Sequence, residues 1–189
     1  MPVSSNLAVG SVLTASTVNN YMLNPGLDFV KQVSVSGSGT TTVDITSCFS
    51  STWDNYVISF ANITCSGSMS LSMALLSGTT PTSTGWYGTE FFVASGATGI
   101  NGQLSATGGG SIYCSAGSAL SGLQSNIDLQ SPYLAKNTTF DYRVTATDYY
   151  RWGFGIHTAN TSYNGIRFTT TGGTTMTGGT ITVYGRRKQ

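Results

Sequence analysis

The stretch Met69-Ser-Leu-Ser-Met-Ala-Leu75 decides the fold class of this chain, because large apolar side chains alternate strictly with small ones along it. Successive side chains of a β-strand point to opposite faces of the sheet, so a period of two predicts a half-buried strand. We therefore expect Met69, Leu71, Met73 and Leu75 to face a hydrophobic core, and the small residues between them to face the other way.

Similar alternation, or runs of β-branched and aromatic residues between turn residues, recurs along the chain. On this basis, further strands are predicted at Phe29–Val35, Thr42–Thr46, Asn55–Thr64, Tyr87–Val93, Ser111–Cys114, Thr138–Thr147, Arg151–His157, Gly165–Thr169 and Thr180–Tyr184. The Gly-rich stretches Ala94–Gly110 and Thr169–Gly179 are predicted to be long loops or hairpin tips. About ten short strands at close intervals predict an all-β, jelly-roll-like β-sandwich over residues 27–185.

The composition agrees with such a fold and argues against a disordered linker. Charged residues make up only 8% of the chain, whereas 24 glycines, 29 threonines and 26 serines are present. Polar composition of this kind occurs in disordered segments, but 39% hydrophobic and 11% aromatic residues supply a far larger core than such segments have. The length of 189 residues favours one domain.

Residues 1–26 are predicted to form an extended arm followed by a short helix. Thr14 can cap the first helical turn, and apolar residues follow at helical spacing. The apolar positions of this segment are Leu13, Val18, Tyr21 and Met22. Asn24-Pro25-Gly26 ends the helix, because the residue before a proline avoids the helical conformation. About ten residues make too short a helix to be stable alone in water, so we expect the apolar stripe to anchor on the β-domain or on another chain.

Charge and hydropathy exclude two classes of partner. The net charge of +1 gives no overall field that would attract nucleic acid, so no nucleic-acid partner is expected. The basic tail at 186–189, Arg186-Arg187-Lys188-Gln189, is either a solvated terminus or a segment that docks on an acidic neighbour. No apolar run approaches the ~20 residues that cross a bilayer, and no secretory signal is visible, so we expect no membrane insertion.

The ionisable residues do not suggest catalysis. Glycosidases need two carboxylates that face one bond, and the spacing of Glu90, Asp141 and Asp148 does not indicate such a pair. The single histidine, His157, follows an apolar strand and is interpreted as structural. We predict that the chain is not an enzyme and has no catalytic residue and no cofactor.

The three cysteines, Cys48, Cys65 and Cys114, lack the spacing of metal ligands, so no metal site is predicted. Two interpretations remain open for them. Either Cys48 and Cys65 pair across neighbouring strands, or all three are reduced and buried as small apolar residues.

Two aromatic segments suggest a binding role. Gly85-Trp-Tyr-Gly88 and Tyr149-Tyr-Arg-Trp152 place flat rings beside glycine and polar residues, a composition that suits stacking on the faces of sugars. The candidate ligand-stacking residues are Trp86, Tyr149, Tyr150 and Trp152. In the alternative interpretation the tryptophans belong to the core and the tyrosines line the surface of the sheet.

Three stretches together resemble a family of small virion structural proteins of tailed bacteriophages. Ser11-Val-Leu-Thr-Ala-Ser-Thr-Val-Asn-Asn-Tyr-Met-Leu-Asn24 resembles the helical opening of many phage tail and fibre-type proteins. Ser51-Thr-Trp-Asp-Asn-Tyr-Val-Ile-Ser59 resembles the strand that follows in such chains, and Gly178-Gly-Thr-Ile-Thr-Val-Tyr-Gly185 is similar to their final strand. The order and spacing of the three stretches cover most of the chain.

The resemblance implies a virion structural protein: an oligomeric fibre knob or surface-displayed β-sandwich, held on the particle by its N-terminal segment. Fibre proteins of this kind are commonly homotrimers, so the resemblance implies the chain itself and other virion proteins as partners. It also implies location in the virion after synthesis in the host cytoplasm. The alternatives are a lectin-like module that binds a host-surface glycan, and a capsid decoration or cement protein.

Overall fold

The computed structural model describes most of the predicted β-domain. The described residues are 26–67, 69–94, 101–109, 112–117, 122–145 and 149–186. The predicted N-terminal arm and anchoring helix, with Leu13, Val18, Tyr21 and Met22, lie outside these residues, and so do the last three residues of the basic tail. Strands and no helices are found in the described part, which confirms the all-β prediction.

Thirteen strands occur among the described residues. In chain order they are β1 (Leu27–Ser34), β2 (Thr42–Ile45), β3 (Asn55–Cys65), β4 (Met69–Ser77), β5 (Thr80–Pro81), β6 (Trp86–Ala94), β7 (Asn101–Gly109), β8 (Ile112–Gly117), β9 (Leu123–Gln130), β10 (Thr138–Thr145), β11 (Tyr149–His157), β12 (Gly165–Thr170) and β13 (Met176–Arg186). Every pair of neighbouring strands is antiparallel.

The strands form two sheets that share one core. The larger sheet has eight strands in the order β1-β13-β3-β9-β10-β11-β6-β7. The smaller sheet has the order β2-β12-β4-β5, and β8 also pairs with β4. Side chains of both sheets belong to a single buried cluster, in which the rings of Phe60 on β3 and Phe168 on β12 meet edge to face with centroids 4.8 Å apart. The arrangement is therefore β-sandwich-like.

Strand β4 is more deeply buried than the alternation of its residues predicted. Leu71, Met73 and Leu75 are fully buried in the core, as expected. Ser72 and Ala74, which alternate with them, are also buried, with 9% and 7% of their surface exposed. The reason is that β4 has strands on both sides, so small side chains on its second face are sheltered between their neighbours. The side chain of Met69 lies outside the described part.

The sequence prediction differs from the structure at three strands. The Gly-rich stretch Ala94–Gly110 was predicted to be a long loop or hairpin tip, but Asn101–Gly109 forms strand β7 and pairs with β6 at the edge of the larger sheet. Leu123–Gln130 was not predicted as a strand, yet it forms β9 near the middle of that sheet. Strand β13 also starts earlier than predicted, at Met176 inside the stretch Thr169–Gly179. Pairing with a neighbouring strand outweighs weak local β-propensity in such stretches.

Candidate functional site

One face of the larger sheet carries all of the exposed large hydrophobic side chains found among the described residues. We call this the outer face, meaning the face turned away from the smaller sheet. These side chains are Phe29, Tyr87, Tyr150 and Phe154, which are 62%, 47%, 45% and 54% exposed. Tyr87, Tyr150 and Phe154 lie together on the adjacent strands β6 and β11, whereas Phe29 lies apart on the edge strand β1. Contiguous exposed apolar surface on a small domain marks a site of interaction. The part of the outer face formed by β6 and β11 is therefore the candidate functional surface.

Two glycines explain why strand β11 presents its large side chains outward. On the inner face, Gly153 lies opposite Tyr142 and Gly155 lies opposite Phe140 of β10. A Cβ atom at Gly153 would lie 2.5 Å from the Tyr142 ring, and one at Gly155 would lie 2.7 Å from the Phe140 ring. The rings of β10 therefore occupy the space above the two glycines, and the bulky residues of β11 lie on the other side.

The outward side chains of β11 form an aromatic cluster with one residue of β6. We define this aromatic cluster as Phe91, Tyr150, Trp152 and Phe154. The rings of Phe91 and Trp152 stack with centroids 5.7 Å apart and planes 24° apart. Phe154 lies 6.4 Å from Phe91, and Tyr150 lies 5.5 Å from Trp152, both measured between ring centroids. The rings hold one another in place, so the cluster is a ready-made apolar platform.

A shallow cleft adjoins this platform and has a volume of about 600 Å³. Ligand pockets in proteins typically measure about 300–1,000 Å³, so the cleft has the size of a small-molecule site. Its apolar side is formed by Tyr87, Phe154 and Ile156, and its polar groups come from Thr89, Gln130, Thr139 and Asp141. The cleft thus combines flat rings with hydrogen-bonding groups from four neighbouring strands.

A second, more polar hollow of about 430 Å³ shares Gln130 and Asp141 with the first. Asp128 lies directly opposite Asp141 on the adjacent strand, and Arg186 forms an ion pair with Asp128. Asp141 takes part in none of the three ion pairs found among the described residues. Burial, reinforced by the nearby Asp128 carboxylate, raises the pKa of Asp141 above its ordinary value. The cleft therefore borders a carboxylate that no cation fully compensates.

The inner face beneath the aromatic cluster holds a buried ion pair. Glu90, which is 2% exposed, accepts a hydrogen bond from the Tyr142 hydroxyl at 2.8 Å and one from Arg151 Nη1 at 2.9 Å. The Arg151 guanidinium also lies 4.7 Å from the centroid of the Phe92 ring. Glu90 and Asp141 lie on opposite faces of the sheet, so they cannot act on one bond as a glycosidase pair. Through these contacts Glu90 links strand β6 to Arg151 on β11 and to Tyr142 on β10.

The structure decides between the two interpretations of Trp86 in favour of the core. Its side chain is fully buried on the inner face, where its ring packs against Phe140 and His157 and its indole N–H donates to Thr82 Oγ1 at 3.2 Å. The ring therefore offers no face to a ligand, because strand β6 directs Trp86 inward and Tyr87 outward. The sequence indicates that aromatic rings lie in this segment, but only the register of β6 in the sheet shows that Tyr87 is exposed and Trp86 is not.

His157 is buried beside Trp86, in agreement with its interpretation as a structural residue. Its Nε2 lies 3.0 Å from the Thr84 carbonyl oxygen, and its ring packs edge to face on Tyr163. Burial lowers the pKa of His157 below its ordinary value.

Cys48 and Cys65 form no disulfide with each other, so the interpretation in which they pair is not supported. Both are buried, and burial raises the pKa of Cys48 to about 12 and that of Cys65 to about 11. A thiol reacts as its thiolate, so both groups are inert at neutral pH. The side chain of Cys114 lies outside the described part.

The other predicted stacking residues lie on strand β11, at the candidate surface. Tyr150 is exposed and Trp152 is partly buried within the aromatic cluster, whereas the side chain of Tyr149 lies outside the described part. Sequence reasoning missed Tyr87, Phe154 and the polar residues of the cleft. The alternation of large residues with Gly153 and Gly155 was a signal that could have revealed the outward position of Phe154.

Among the described residues, no three histidine, cysteine, aspartate or glutamate side chains come together as metal ligands. The same residues contain no helix long and apolar enough to cross a membrane. No protein family, curated protein or solved structure was found to match the chain.

Proposed function

We propose that the chain is a structural protein of a tailed-bacteriophage particle, an oligomeric fibre knob or surface-displayed β-sandwich. The observation that carries the proposal is the outer face of the larger sheet, where the exposed large hydrophobic side chains of the described residues are collected. A protein with 8% charged residues and an apolar face suits an assembly in which neighbouring subunits cover part of its surface.

The resemblance to phage virion proteins supports the same function. Two of the three stretches that carry it, Ser51–Ser59 and Gly178–Gly185, contribute to strands β3 and β13. These strands are neighbours in the larger sheet and pair residue for residue along most of their length. These two stretches are thus joined in one part of the fold.

The finer features of the architecture belong to this proposal. A jelly-roll-like connection of the strands is favoured by the two antiparallel sheets with a common core. An N-terminal helix within residues 1–26 is favoured by the helical spacing of its apolar residues, and this stripe would anchor the chain to the particle. Arg186, which the sequence assigned to the basic tail at 186–189, is the last residue of β13 and forms an ion pair with Asp128, so only residues 187–189 would form a tail.

The proposed partners are further copies of this chain and other virion proteins. A homotrimer is favoured because the resemblance is to fibre proteins, which are commonly trimeric. The proposed location is the virion, after synthesis in the host cytoplasm, and no enzymatic activity, cofactor or nucleic-acid partner is part of the proposal. Immunolabelling and electron microscopy of purified particles would distinguish a capsid decoration or cement protein from a protein of the tail or neck.

Replacement of Val18 and Met22 by aspartate tests the anchor. The double variant should fail to enter particles, because two charges would interrupt the apolar stripe, while the β-domain keeps its cooperative thermal unfolding. Incorporation is measured by immunoblotting of purified particles, with Thr17→Ala as a matched control in the same segment. Normal incorporation of the double variant would refute the anchor, and loss of cooperative unfolding would assign the stripe to the core of the domain.

A second candidate function is recognition of a host-surface carbohydrate. The cleft beside Tyr87 and Phe154 favours it, because flat rings and hydrogen-bonding side chains meet there. Deletion of residues 1–26 separates the two functions. It should abolish incorporation into particles under the first, and leave carbohydrate binding unchanged under the second.

A further inference from the structure

We propose that the cleft between Tyr87, Phe154 and Asp141 binds one neutral pyranose unit of a glycan, with the apolar face of the sugar on the rings and its hydroxyls on the polar side. This inference rests on the recognition function proposed above and not on attachment to a particle. It therefore holds or fails in experiments on the isolated protein.

The apolar side of the cleft presents two exposed rings on adjacent strands. Tyr87 lies directly opposite Ile156 on β11, and Phe154 is two residues from Ile156 on the same face, so Tyr87 and Phe154 are diagonal neighbours. Diagonal neighbours on adjacent antiparallel strands lie about 7–8 Å apart. Two rings that are about half exposed and extend from residue positions at this spacing can both contact a single pyranose. The C–H groups of a sugar face bury apolar area against them, as other apolar groups do.

The polar side of the cleft carries groups that match sugar hydroxyls. Asp141 is the direct neighbour of Phe154 across strands β10 and β11, so a ligand on that ring reaches the carboxylate. Gln130 lies opposite Thr139, which is two residues from Asp141 on the same face. The carboxylate accepts hydrogen bonds, and the amide both donates and accepts them. Together they can bind adjacent hydroxyls of one ring.

The charges of the site favour a neutral ligand with hydroxyl donors. The charges near the cleft are balanced, because Asp128 and Asp141 are opposed by Arg186 and Arg143. Asp141 belongs to no ion pair among the described residues, so its carboxylate oxygens can accept hydrogen bonds from a ligand. An apolar partner would desolvate the Asp141 carboxylate without replacing its hydrogen bonds, which is unfavourable. An organic cation would be held best within a cage of several exposed rings, and of the aromatic residues that line the cleft Tyr87 and Phe154 are exposed whereas Phe140 is buried. Hydroxyl groups complement both the carboxylate and the rings.

The test measures binding of methyl glycosides of neutral hexoses to the full-length protein by ligand-observed saturation-transfer NMR, followed by titration of the best binder. Sialyllactose serves as the anionic comparison and tetramethylammonium as the cationic one. The variants are Phe154→Ala and Asp141→Asn. The matched control is Phe29→Ala, which removes an equally exposed ring from the same face five strands away in the sheet order.

A neutral glycoside should bind, and Phe154→Ala should weaken its binding about tenfold, as expected for the loss of one stacked ring. Asp141→Asn should also weaken it by about tenfold, because hydrogen bonds to a charged acceptor are strong. Phe29→Ala should bind like the unmodified protein. Absence of binding by every neutral glycoside overturns the proposal, and so does binding that neither cleft variant weakens. Binding of tetramethylammonium or sialyllactose alone would assign the cleft to a charged ligand instead.

Discussion

Replacing Glu90 with alanine should destabilise the domain by about 3–5 kcal/mol, the usual loss when one partner of a buried ion pair is removed. The structure explains why a loss of this size is expected. The side chains of Arg151 and Glu90 are only 11% and 3% exposed, so solvent cannot screen the charge left behind. The carboxylate also accepts the Tyr142 hydroxyl at 2.8 Å, and that hydrogen bond is lost together with the ion pair.

The measurement is urea and thermal unfolding, followed by circular dichroism. For a chain of this size, a loss of that magnitude lowers the midpoint of thermal unfolding by roughly 10 °C. The matched control is Asp44→Ala, which breaks the ion pair with Arg167. That pair is bidentate, but its side chains are 29% and 27% exposed, so its loss should cost about 1 kcal/mol or less.

A third variant separates buried charge from lost packing. The double replacement Glu90→Leu with Arg151→Leu removes both charges and should recover much of the stability lost in Glu90→Ala, since apolar residues can substitute for a buried pair. Equal losses for Glu90→Ala and Asp44→Ala would refute the reasoning. A double variant less stable than Glu90→Ala would show that the pair contributes net attraction, and that desolvated charge is not the main cause of the loss.

Three further outcomes are expected. Gly155→Ala should lower stability by about 1–3 kcal/mol in the same unfolding assay, because its Cβ would meet the backbone oxygen of Tyr87 and the Phe140 ring. Gly37→Ala, with open space around it, should have little effect. The free energy of unfolding should fall as the pH drops below about 6.5, because His157 binds a proton in the unfolded chain but, with its lowered pKa, stays neutral in the folded one. If a His157→Gln variant showed the same dependence of the unfolding free energy on pH, this explanation would be wrong. Cys48 should react with a maleimide only after denaturation, as followed by mass spectrometry, and rapid labelling of the native protein would show that its burial is incomplete.

The core of the fold was predictable from local pattern, and β9 shows where that reasoning stopped. The alternation along β4 placed Leu71, Met73 and Leu75 correctly in the core. The same alternation is present in Leu123–Gln130, which has buried residues at every second position, but its polar residues concealed it. Strand β7 had no such signal, because its glycine, serine and threonine residues form a strand only when β6 presents unpaired backbone groups beside them.

The candidate site was only partly predictable, for a different reason. Rings next to glycine identified Tyr150 and Trp152 on the correct strand. The face on which a ring lies depends on the register of the whole sheet, so the sequence left Trp86 open between the core and a ligand-binding surface. The polar half of the cleft comes from Gln130 and Asp141, which lie on separate strands and meet through pairing that local sequence does not encode.

The two glycines of β11 give this surface a capacity for change. Inward positions of the strand are restricted, since Gly153 and Gly155 accept no larger side chain beneath the rings of β10. Outward positions such as Tyr150 and Phe154 contact solvent and can be exchanged without altering the interior. A library that randomises only the outward positions should therefore yield folded proteins of differing specificity. Substitutions on the outward side of β11 can therefore change what the surface binds, while the residues on its inward side maintain the fold.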